Sequence, residues 1–259
     1  MNESVPSPGT VLITGAARRI GRAIALDFAA RRWNVAIHCH ISAAEAKNLA
    51  REITSSGSNA QVFPADLSDP AAVEALIPRC TAAIGAPTCL INNASTFLYD
   101  DLPSLDADQW DRQLAVNLNA PIFLAKSFAR HLPASATGNV INILDQRVLK
   151  PTPHFFSYAV SKAALWSATQ TMAQALAPRI RVNAIGPGPV LASAHQSPDQ
   201  FASQSAATLL QRSTSPAEIA ATIRFILDAP ALTGQMIALD GGQHLVWQTP
   251  DVLAAADKG

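Results

Sequence analysis

A tyrosine and a lysine four residues apart are the residues of this sequence whose types and spacing most directly allow chemistry. Tyr158 and Lys162 occur in the segment FFSYAVSKAALW, and their spacing places both side chains on one face of a helix. A nearby cation lowers the pKa of a phenol from about 10 towards about 7, which makes the phenol a usable acid at neutral pH. We therefore predict that Lys162 activates Tyr158 as a proton donor. The alternative is a surface tyrosine and lysine that share a helix face without a catalytic role.

Short apolar runs of strand type alternate with helix-length segments along the chain. The runs are VLIT, NVAIHC, QVFPAD, TCLINN, NVINIL, IRVNAIG and QMIALD. Near-continuous apolar strands joined by helices are typical of a parallel sheet covered on both faces. The pattern predicts an α/β, doubly wound Rossmann fold: a seven-stranded parallel sheet with helices on both faces, in a single domain over residues 1–259. Ligands should bind at the carboxyl ends of its strands.

Three segments lack a clear strand or helix pattern. We expect loosely ordered tails at residues 1–9 and about 250–259. The third segment, at about 189–212, follows the sixth strand. We expect it to form a loop that closes over the substrate.

Composition narrows the class of partner. The formal net charge is zero and no long basic cluster occurs, so we do not expect the protein to bind nucleic acid or membrane surfaces. The expected partner is a small molecule. The amino terminus is polar and no apolar run reaches membrane-spanning length, which predicts a cytoplasmic protein. Cys39, Cys80 and Cys89 lack CxxC spacing and the histidines lack metal-ligand spacing, so we expect neither a disulfide nor a metal.

The first predicted strand leads through a glycine-containing turn into a helix, in the sequence VLITGAARRIGRAIA. Gly15 allows close approach of a phosphate, and the positive end of the helix dipole favours an anion. The second strand lacks the terminal acid that binds the ribose of NAD, and offers His38, His40 and Ser42, with Arg18 in the turn. These groups suit a 2′-phosphate and favour NADPH over NADH. The alternative is that the histidines simply end a strand at the surface.

Several motifs together resemble the short-chain dehydrogenase/reductase family over almost the whole chain: TGAARRIG, ADL at 65–67, NNAS at 92–95, VNLNAP, YAVSK and RVNAIGPGPV. The resemblance implies that Tyr158 donates a proton, Lys162 binds the nicotinamide ribose and Asn117 supports a water relay. Asp66 and Leu67 would hold the adenine, and Pro187 and Gly188 would abut the nicotinamide. The full set of expected NADPH contacts is Gly15, Arg18, Arg19, Ile20, His38, His40, Ser42, Asp66, Leu67, Asn93, Ala94, Ser95, Tyr158, Lys162, Pro187 and Gly188.

Two departures from the family pattern resemble its pteridine reductase branch, which includes dihydromonapterin reductases. Asp145 stands thirteen residues before the tyrosine, where most members have serine, and Arg19 replaces a glycine of the turn. HCHISAAEA and NASTF also resemble this branch. By that likeness Phe97 stacks on the pterin, Ser95 and Arg19 bind pterin and phosphate, and Asp145 joins Tyr158 as a catalytic residue.

Two other positions differ from the branch. Ile41 stands where an arginine often contacts the 2′-phosphate, and Trp247 where some members place an arginine that reaches a neighbouring subunit. Related reductases are commonly tetramers, and we expect a homotetramer by analogy alone.

Asp145 also favours one type of reaction on chemical grounds. A ketone that accepts hydride develops negative charge, which an ionised carboxylate opposes, whereas a C=N bond reacts best when protonated. The sequence thus predicts a dihydropterin reductase in which the proton arrives through Tyr158, Asp145 and water. Alternatives remain: Asp145 only caps a loop, Phe97 is core, or the protein is a carbonyl reductase (for a 3-oxoacyl thioester, sugar or steroid-like ketone) or a non-catalytic NADP-binding protein.

Overall fold

A computed structural model of the chain describes residues 9–193 and 196–247. The two expected tails therefore lie outside the described residues, apart from Gly9. The carbonyl of Gly9 accepts a hydrogen bond from the backbone N–H of Asn34.

One parallel sheet organises the described chain. Its strands follow the spatial order β3-β2-β1-β4-β5-β6-β7, with a switch in order between β1 and β4, and every neighbouring pair is parallel. The seven-stranded doubly wound Rossmann fold predicted from the apolar runs is confirmed. The strands are β1 Thr10–Ile13, β2 Asn34–Cys39, β3 Ala60–Pro64, β4 Pro87–Asn92, β5 Gly138–Ile143, β6 Ile180–Pro187 and β7 Met236–Leu239.

Helices connect the strands and cover both faces of the sheet. They are α1 Arg19–Ala30, α2 Ala43–Ser55, α3 Pro70–Ile84, α4 Ala107–Leu114, α5 Ala120–His131, α6 Phe156–Leu176, α7 Pro198–Ala206 and α8 Pro216–Asp228. A π-helical turn at Ala115–Asn119 joins α4 to α5, and short 3₁₀ turns occupy Gln146–Val148 and Gln243–Leu245. The segment at 189–212 is only partly a loop, because it contains α7 with a Ser197 and Gln200 capping box.

The core consists of two layers, one on each face of the sheet. In β1, Val11 and Ile13 pack on the face covered by α1, α2 and α8, whereas Leu12 packs on the face covered by α3 and α5. Alternate strand residues point to opposite faces, and both faces here are buried. This two-sided burial explains why the strands read as continuous apolar runs.

A buried acid fixes the start of α6, the helix that carries Tyr158. Phe155 precedes the helix in the left-handed region at φ 57° and provides no side-chain cap. Asp100 supplies the cap from a distant segment, since its carboxylate accepts hydrogen bonds from the Ser157 N–H at 3.2 and 3.3 Å and from the Ser157 hydroxyl. Gln113 donates to the same hydroxyl. Asp100 is only 2% exposed, so these bonds form away from solvent.

Replacement of this acid should destabilise the fold. Asp100→Asn leaves one acceptor oxygen and places an amide where a carboxylate accepted two donors, and we expect a loss of about 1–3 kcal/mol in the free energy of unfolding. Urea unfolding measures the change. Asp101→Asn is the matched control, because the Asp101 carboxylate bonds only to Ser104 in an exposed turn. Equal unfolding midpoints for the two variants would contradict this account of α6.

Candidate active site

The turn after β1 has the shape that a phosphate group requires. Gly15 adopts φ +62°, and a Cβ on Gly21 would lie 2.3 Å from the Gly15 carbonyl oxygen and 2.7 Å from the Asn93 amide nitrogen. Asn93 holds the turn by donating to the Thr14 and Gly15 carbonyls at 2.9 and 3.2 Å. The turn leads directly into α1, so backbone N–H groups at the helix start face the cleft. The residues present therefore fit the diphosphate of a dinucleotide.

His38 supports this turn and is not available as a phosphate ligand. Its Nδ1 accepts from the Gly15 N–H at 3.0 Å and its Nε2 donates to the Ala65 carbonyl at 3.1 Å, and the residue is 2% exposed. Burial lowers the pKa of His38 to about 4, so the ring is neutral at physiological pH. The expected contact to a 2′-phosphate is wrong for His38, because both ring nitrogens bind backbone groups. The ring is also buried, so it does not end its strand at the surface.

The other residues expected at the 2′-phosphate lie at one end of a cavity of about 370 Å³ beside the turn. Arg18 and His40 are both partly exposed, and each lies 3.6 Å from a carboxylate, Glu45 and Asp66 respectively. Ser42 is buried at the start of α2. The cavity is also lined by Ile20, Ile41, Leu67, Ala94 and Ser95.

Ser68 fixes the side chain of Asp66 next to this cavity. Its carboxylate accepts hydrogen bonds from the N–H and the hydroxyl of Ser68, and these bonds lower the pKa of Asp66. Its side chain thus keeps a fixed, ionised acceptor near the place expected for the adenine.

Arg19 connects the turn to the segment that follows β6. It adopts φ 55°, and its guanidinium donates to the carbonyls of Leu191 and Ala192 at 3.0 and 2.9 Å. The side chain lines both the cofactor cavity and a second cavity beside it. It therefore lies where a cofactor and a substrate would meet, with its donors directed at backbone carbonyls.

Tyr158, Asp145 and Lys162 meet at the carboxyl end of β5. The Tyr158 hydroxyl donates to Asp145 Oδ2 at 3.0 Å, and Lys162 Nζ donates to the Ile143 carbonyl at 2.9 Å. Tyr158 and Lys162 are 7% and 3% exposed, which excludes the alternative of a surface pair. The predicted shared helix face is confirmed by α6.

The pKa of Tyr158 is shifted in the direction opposite to the prediction. Burial, followed by the Asp145 carboxylate, raises the pKa of Tyr158 well above 10, and Lys162 is not among its causes. Burial lowers the pKa of Lys162 to about 8, partly offset by Asp145. The expectation that Lys162 brings the pKa of the phenol towards neutrality is therefore wrong, and Tyr158 is a protonated donor to a carboxylate.

Asp145 has a second set of partners that sequence reasoning missed. Its Oδ1 accepts from the Arg147 N–H at 2.8 Å, and Arg147 Nη1 lies 3.3 Å from its Oδ2. Asp145 therefore caps the 3₁₀ turn after β5, as the alternative proposed, and also accepts a hydrogen bond from Tyr158. The DQR sequence could have suggested the i, i+2 pairing, but not that the pair is buried against Tyr158.

Asn117 fixes the loop after β4 against α6. In the π-helical turn, its Oδ1 accepts from the Ser95 hydroxyl at 3.0 Å and the Thr96 N–H at 2.9 Å, and its Nδ2 donates to the Thr96 carbonyl and the Ser161 hydroxyl. Both amide hydrogens are used by protein groups. The side chain of Asn117 therefore positions the loop that carries Ser95, and its support of a water relay stays a prediction.

A cavity of about 670 Å³ opens in front of Tyr158. Phe97 is partly exposed to it, so it is not an ordinary core residue. Its ring stacks on Phe155 with centroids 4.2 Å apart and meets Tyr158 edge-on at 4.7 Å. A cavity lined by aromatic rings with a few polar groups suits a flat heterocycle. Other lining residues include Arg19, Ser95, Asp145, Pro187, Gly188, Gln196, Gln200 and Gln204.

Other site types find no support in the described residues. No group of three or more metal-ligating side chains occurs in 9–193 and 196–247, and none of the helices there is long and apolar enough to cross a membrane. Cys39, Cys80 and Cys89 are buried free thiols.

Comparison with known proteins gives one family and several relatives. A family model described as enoyl-(acyl carrier protein) reductase matches residues 15–244. Protein FixR of Bradyrhizobium diazoefficiens is 35% identical over 254 residues, covering 92% of this chain and 87% of the relative. A 3-oxoacyl-[acyl-carrier-protein] reductase of Synechocystis is 30% identical over 240 residues, covering 89% and 95%.

Solved structures resemble the chain more strongly. FolM alternative dihydrofolate reductase 1 from Brucella canis, complexed with NADP, is 48% identical with a TM-score of 0.90, covering 95% of this chain and 98% of that one. Its counterpart from Brucella suis, also with NADP, is 49% identical with a TM-score of 0.92, covering 95% and 99%. A blue fluorescent protein from a metagenomic library, in complex with NADPH, is 28% identical with a TM-score of 0.84, covering 91% and 97%.

The buried neutral histidine predicts acid sensitivity. Because the pKa of His38 is about 4 in the folded protein and about 6.5 when unfolded, the unfolded state binds more protons between these values, and stability falls as the pH drops through this window. We expect a loss of about 2 kcal/mol from pH 7 to pH 5 from this residue. Urea unfolding at both pH values should show a smaller loss in His38→Asn, whereas the exposed-site control His154→Asn should keep the wild-type loss. An unchanged loss in His38→Asn would refute this role.

Proposed function

The chain belongs to the short-chain dehydrogenase/reductase family, and on that basis we propose that it reduces dihydropterins. NADPH is its cofactor, since three solved structures that resemble it were determined with NADP or NADPH. The observation that carries the substrate proposal is the Asp145 carboxylate, which accepts the hydroxyl proton of the catalytic tyrosine. The names of the two FolM structures, alternative dihydrofolate reductases, support a pterin-type substrate.

We propose the following cofactor contacts. The turn at Gly15 and the start of α1 would hold the diphosphate, and Arg18, His40 and Ser42, which line the same cavity, would bind a 2′-phosphate. Lys162 would bind the nicotinamide ribose. When bound, NADPH supplies a hydride to the carbon of the substrate C=N bond. The remaining expected contacts are Asn93, Ala94, Asp66, Leu67, Pro187 and Gly188.

Residues of this chain would supply the proton that the substrate nitrogen receives. The nitrogen of the C=N bond takes the hydroxyl proton of Tyr158 ahead of the hydride, so that the bond gains positive charge and its carbon accepts the hydride, leaving a C–N single bond and a new N–H. A proton from solvent then returns to Tyr158. The Asp145 carboxylate stabilises the positive charge on the protonated nitrogen, and the Lys162 ammonium stabilises the transient phenolate. Because burial and Asp145 raise the pKa of Tyr158, its proton is transferred to the bound substrate and is not lost to solvent.

Substrate orientation follows from the walls of the larger cavity. Phe97 would stack on the pterin ring, and the Ser95 hydroxyl and Arg19 would bind its polar edge. Arg19 must exchange its carbonyl contacts at Leu191 and Ala192 to do so. This exchange would couple substrate entry to movement of the segment before α7.

A carbonyl reductase is the second candidate. The description of the Synechocystis relative, a 3-oxoacyl-[acyl-carrier-protein] reductase, favours a 3-oxoacyl thioester. An ionised carboxylate beside the position of a developing oxyanion opposes that reaction. A non-catalytic NADP-binding protein is disfavoured because Tyr158 and Lys162 are both in place. The cytoplasmic location and the homotetramer stay predictions.

One comparison separates these functions. NADPH consumption is measured with dihydrobiopterin, dihydromonapterin and dihydrofolate beside acetoacetyl thioesters, at equal concentrations. We expect turnover with at least one dihydropterin and little with the thioester. Turnover of the thioester alone would replace the proposal by the carbonyl reductase, and NADPH binding without turnover of any substrate would favour the non-catalytic protein.

Replacement of Tyr158 and replacement of Lys162 should have different effects on turnover and on NADPH affinity. Tyr158→Phe removes the transferred proton, and we expect kcat to fall by about 10²–10⁴-fold with little change in the Kd for NADPH. Lys162→Met removes both the ribose contact and the cation, so kcat and NADPH affinity should both fall. Steady-state kinetics and fluorescence titration with NADPH measure the two effects. Full activity of Tyr158→Phe would reject the mechanism.

A further inference from the structure

Arg147 is a partly buried cation beside Asp145 and Tyr158 to which the proposed function gives no role. It lies in the 3₁₀ turn after β5, and its backbone N–H and guanidinium both contact the Asp145 carboxylate. The Asp145 and Arg147 side chains are 16% and 19% exposed. Asp145 Oδ2 is therefore shared between the guanidinium and the Tyr158 hydroxyl.

The aromatic rings beside Arg147 contact the guanidinium, but they supply no anion. The guanidinium carbon lies 5.6 Å from the Phe97 centroid and 5.5 Å from the Phe155 centroid, and these two rings stack on each other. Contacts at this distance from a ring contribute a modest cation-π attraction. The Asp145 carboxylate is the charged partner of Arg147.

Part of the guanidinium is enclosed without a partner. Within residues 9–193 and 196–247, the buried Nε of Arg147 makes no hydrogen bond. A buried donor without a hydrogen bond lowers the stability of the fold. Such a group is normally retained where it has another function. Arg147 also lines the 670 Å³ cavity, so its charge acts at the place of proton transfer.

The charges around Asp145 come from three parts of the fold. Arg147 faces it from its own segment, Tyr158 and Lys162 face it from α6, and Arg19 lies across the cavity. Lys162 is already engaged with the Ile143 carbonyl, and Arg19 with Leu191 and Ala192. Arg147 is thus the cation in direct contact with the carboxylate.

We infer that Arg147 is a positioning residue that holds the Asp145 carboxylate turned towards the Tyr158 hydroxyl. Its backbone N–H and its guanidinium bind the two oxygens of the carboxylate, and a charge-assisted bond of this kind fixes the orientation of the group. Without the guanidinium the carboxylate is free to rotate, and Tyr158 loses a correctly placed acceptor. The effect of Arg147 on turnover rests on the proposed function, whereas its effect on Asp145 does not.

The test uses the fact that the chain has two tyrosines, Tyr99 and Tyr158. Protein with ¹³C at the tyrosine ζ-carbon gives two NMR signals, and Tyr99→Phe assigns them. The chemical shift of the Tyr158 signal reports the hydrogen bond of its hydroxyl, and Asp145→Asn gives the position of the signal without the carboxylate acceptor. In Arg147→Met the Tyr158 signal should move at least halfway towards its position in Asp145→Asn. With a dihydropterin as substrate, kcat should fall by about tenfold or more while KM changes little.

Two variants separate charge from packing. Arg147→Lys keeps the cation and should return the Tyr158 signal most of the way to its wild-type position, which also provides a measurement if Arg147→Met does not fold. Arg130→Met, which removes an exposed ion pair to Glu74, should leave the Tyr158 signal and kcat unchanged. An unmoved Tyr158 signal in folded Arg147→Met, or equal displacements in the Met and Lys variants, would overturn the inference. If no pterin is reduced, the NMR signal still decides the role of Arg147.

Discussion

The hydrogen bond from the Tyr158 hydroxyl to the Asp145 carboxylate is the interaction on which the rest of the site depends. It joins the end of β5 to the first turn of α6, two elements whose relative position is fixed by the sheet and by the Asp100 cap. Because a hydrogen bond is short and directional, small displacements of either element would break it. The cap at Asp100 and the ion pair at Arg147 both hold it in register.

Charge balance in this cluster is the physical basis for proposing nitrogen chemistry over oxygen chemistry. The Tyr158 hydroxyl donates to the Asp145 carboxylate beside two cations, the buried Lys162 and the partly exposed Arg147. A nitrogen that gains a proton adds positive charge beside the carboxylate, which is favourable, whereas a developing oxyanion adds negative charge beside it. In the proposed reaction NADPH would supply the hydride, and the aspartate in place of the usual serine would favour a nitrogen acceptor.

The fold and the arrangement of the helix residues could be predicted from the sequence because they depend on local patterns. Apolar runs gave the seven strands, the four-residue spacing placed Tyr158 and Lys162 together, and Gly15 marked the phosphate turn. Long-range contacts could not be predicted. The sequence did not reveal that His38 is buried under the turn, that Arg147 meets Asp145 away from solvent, or that burial raises the pKa of Tyr158. These properties depend on which distant groups fold against each side chain.

Substitution of the carboxylate by the residue usual in the family tests the central claim most directly. In Asp145→Ser, kcat/KM is measured for a dihydropterin and for a ketone such as an acetoacetyl thioester, with NADPH saturating. If the carboxylate serves reduction of a C=N bond, kcat/KM for the dihydropterin falls by at least about tenfold. For the ketone, kcat/KM is unchanged or rises, because the substitution removes an electrostatic repulsion of about a few kcal/mol between the carboxylate and the developing oxyanion. Equal losses for the two substrates would contradict the account.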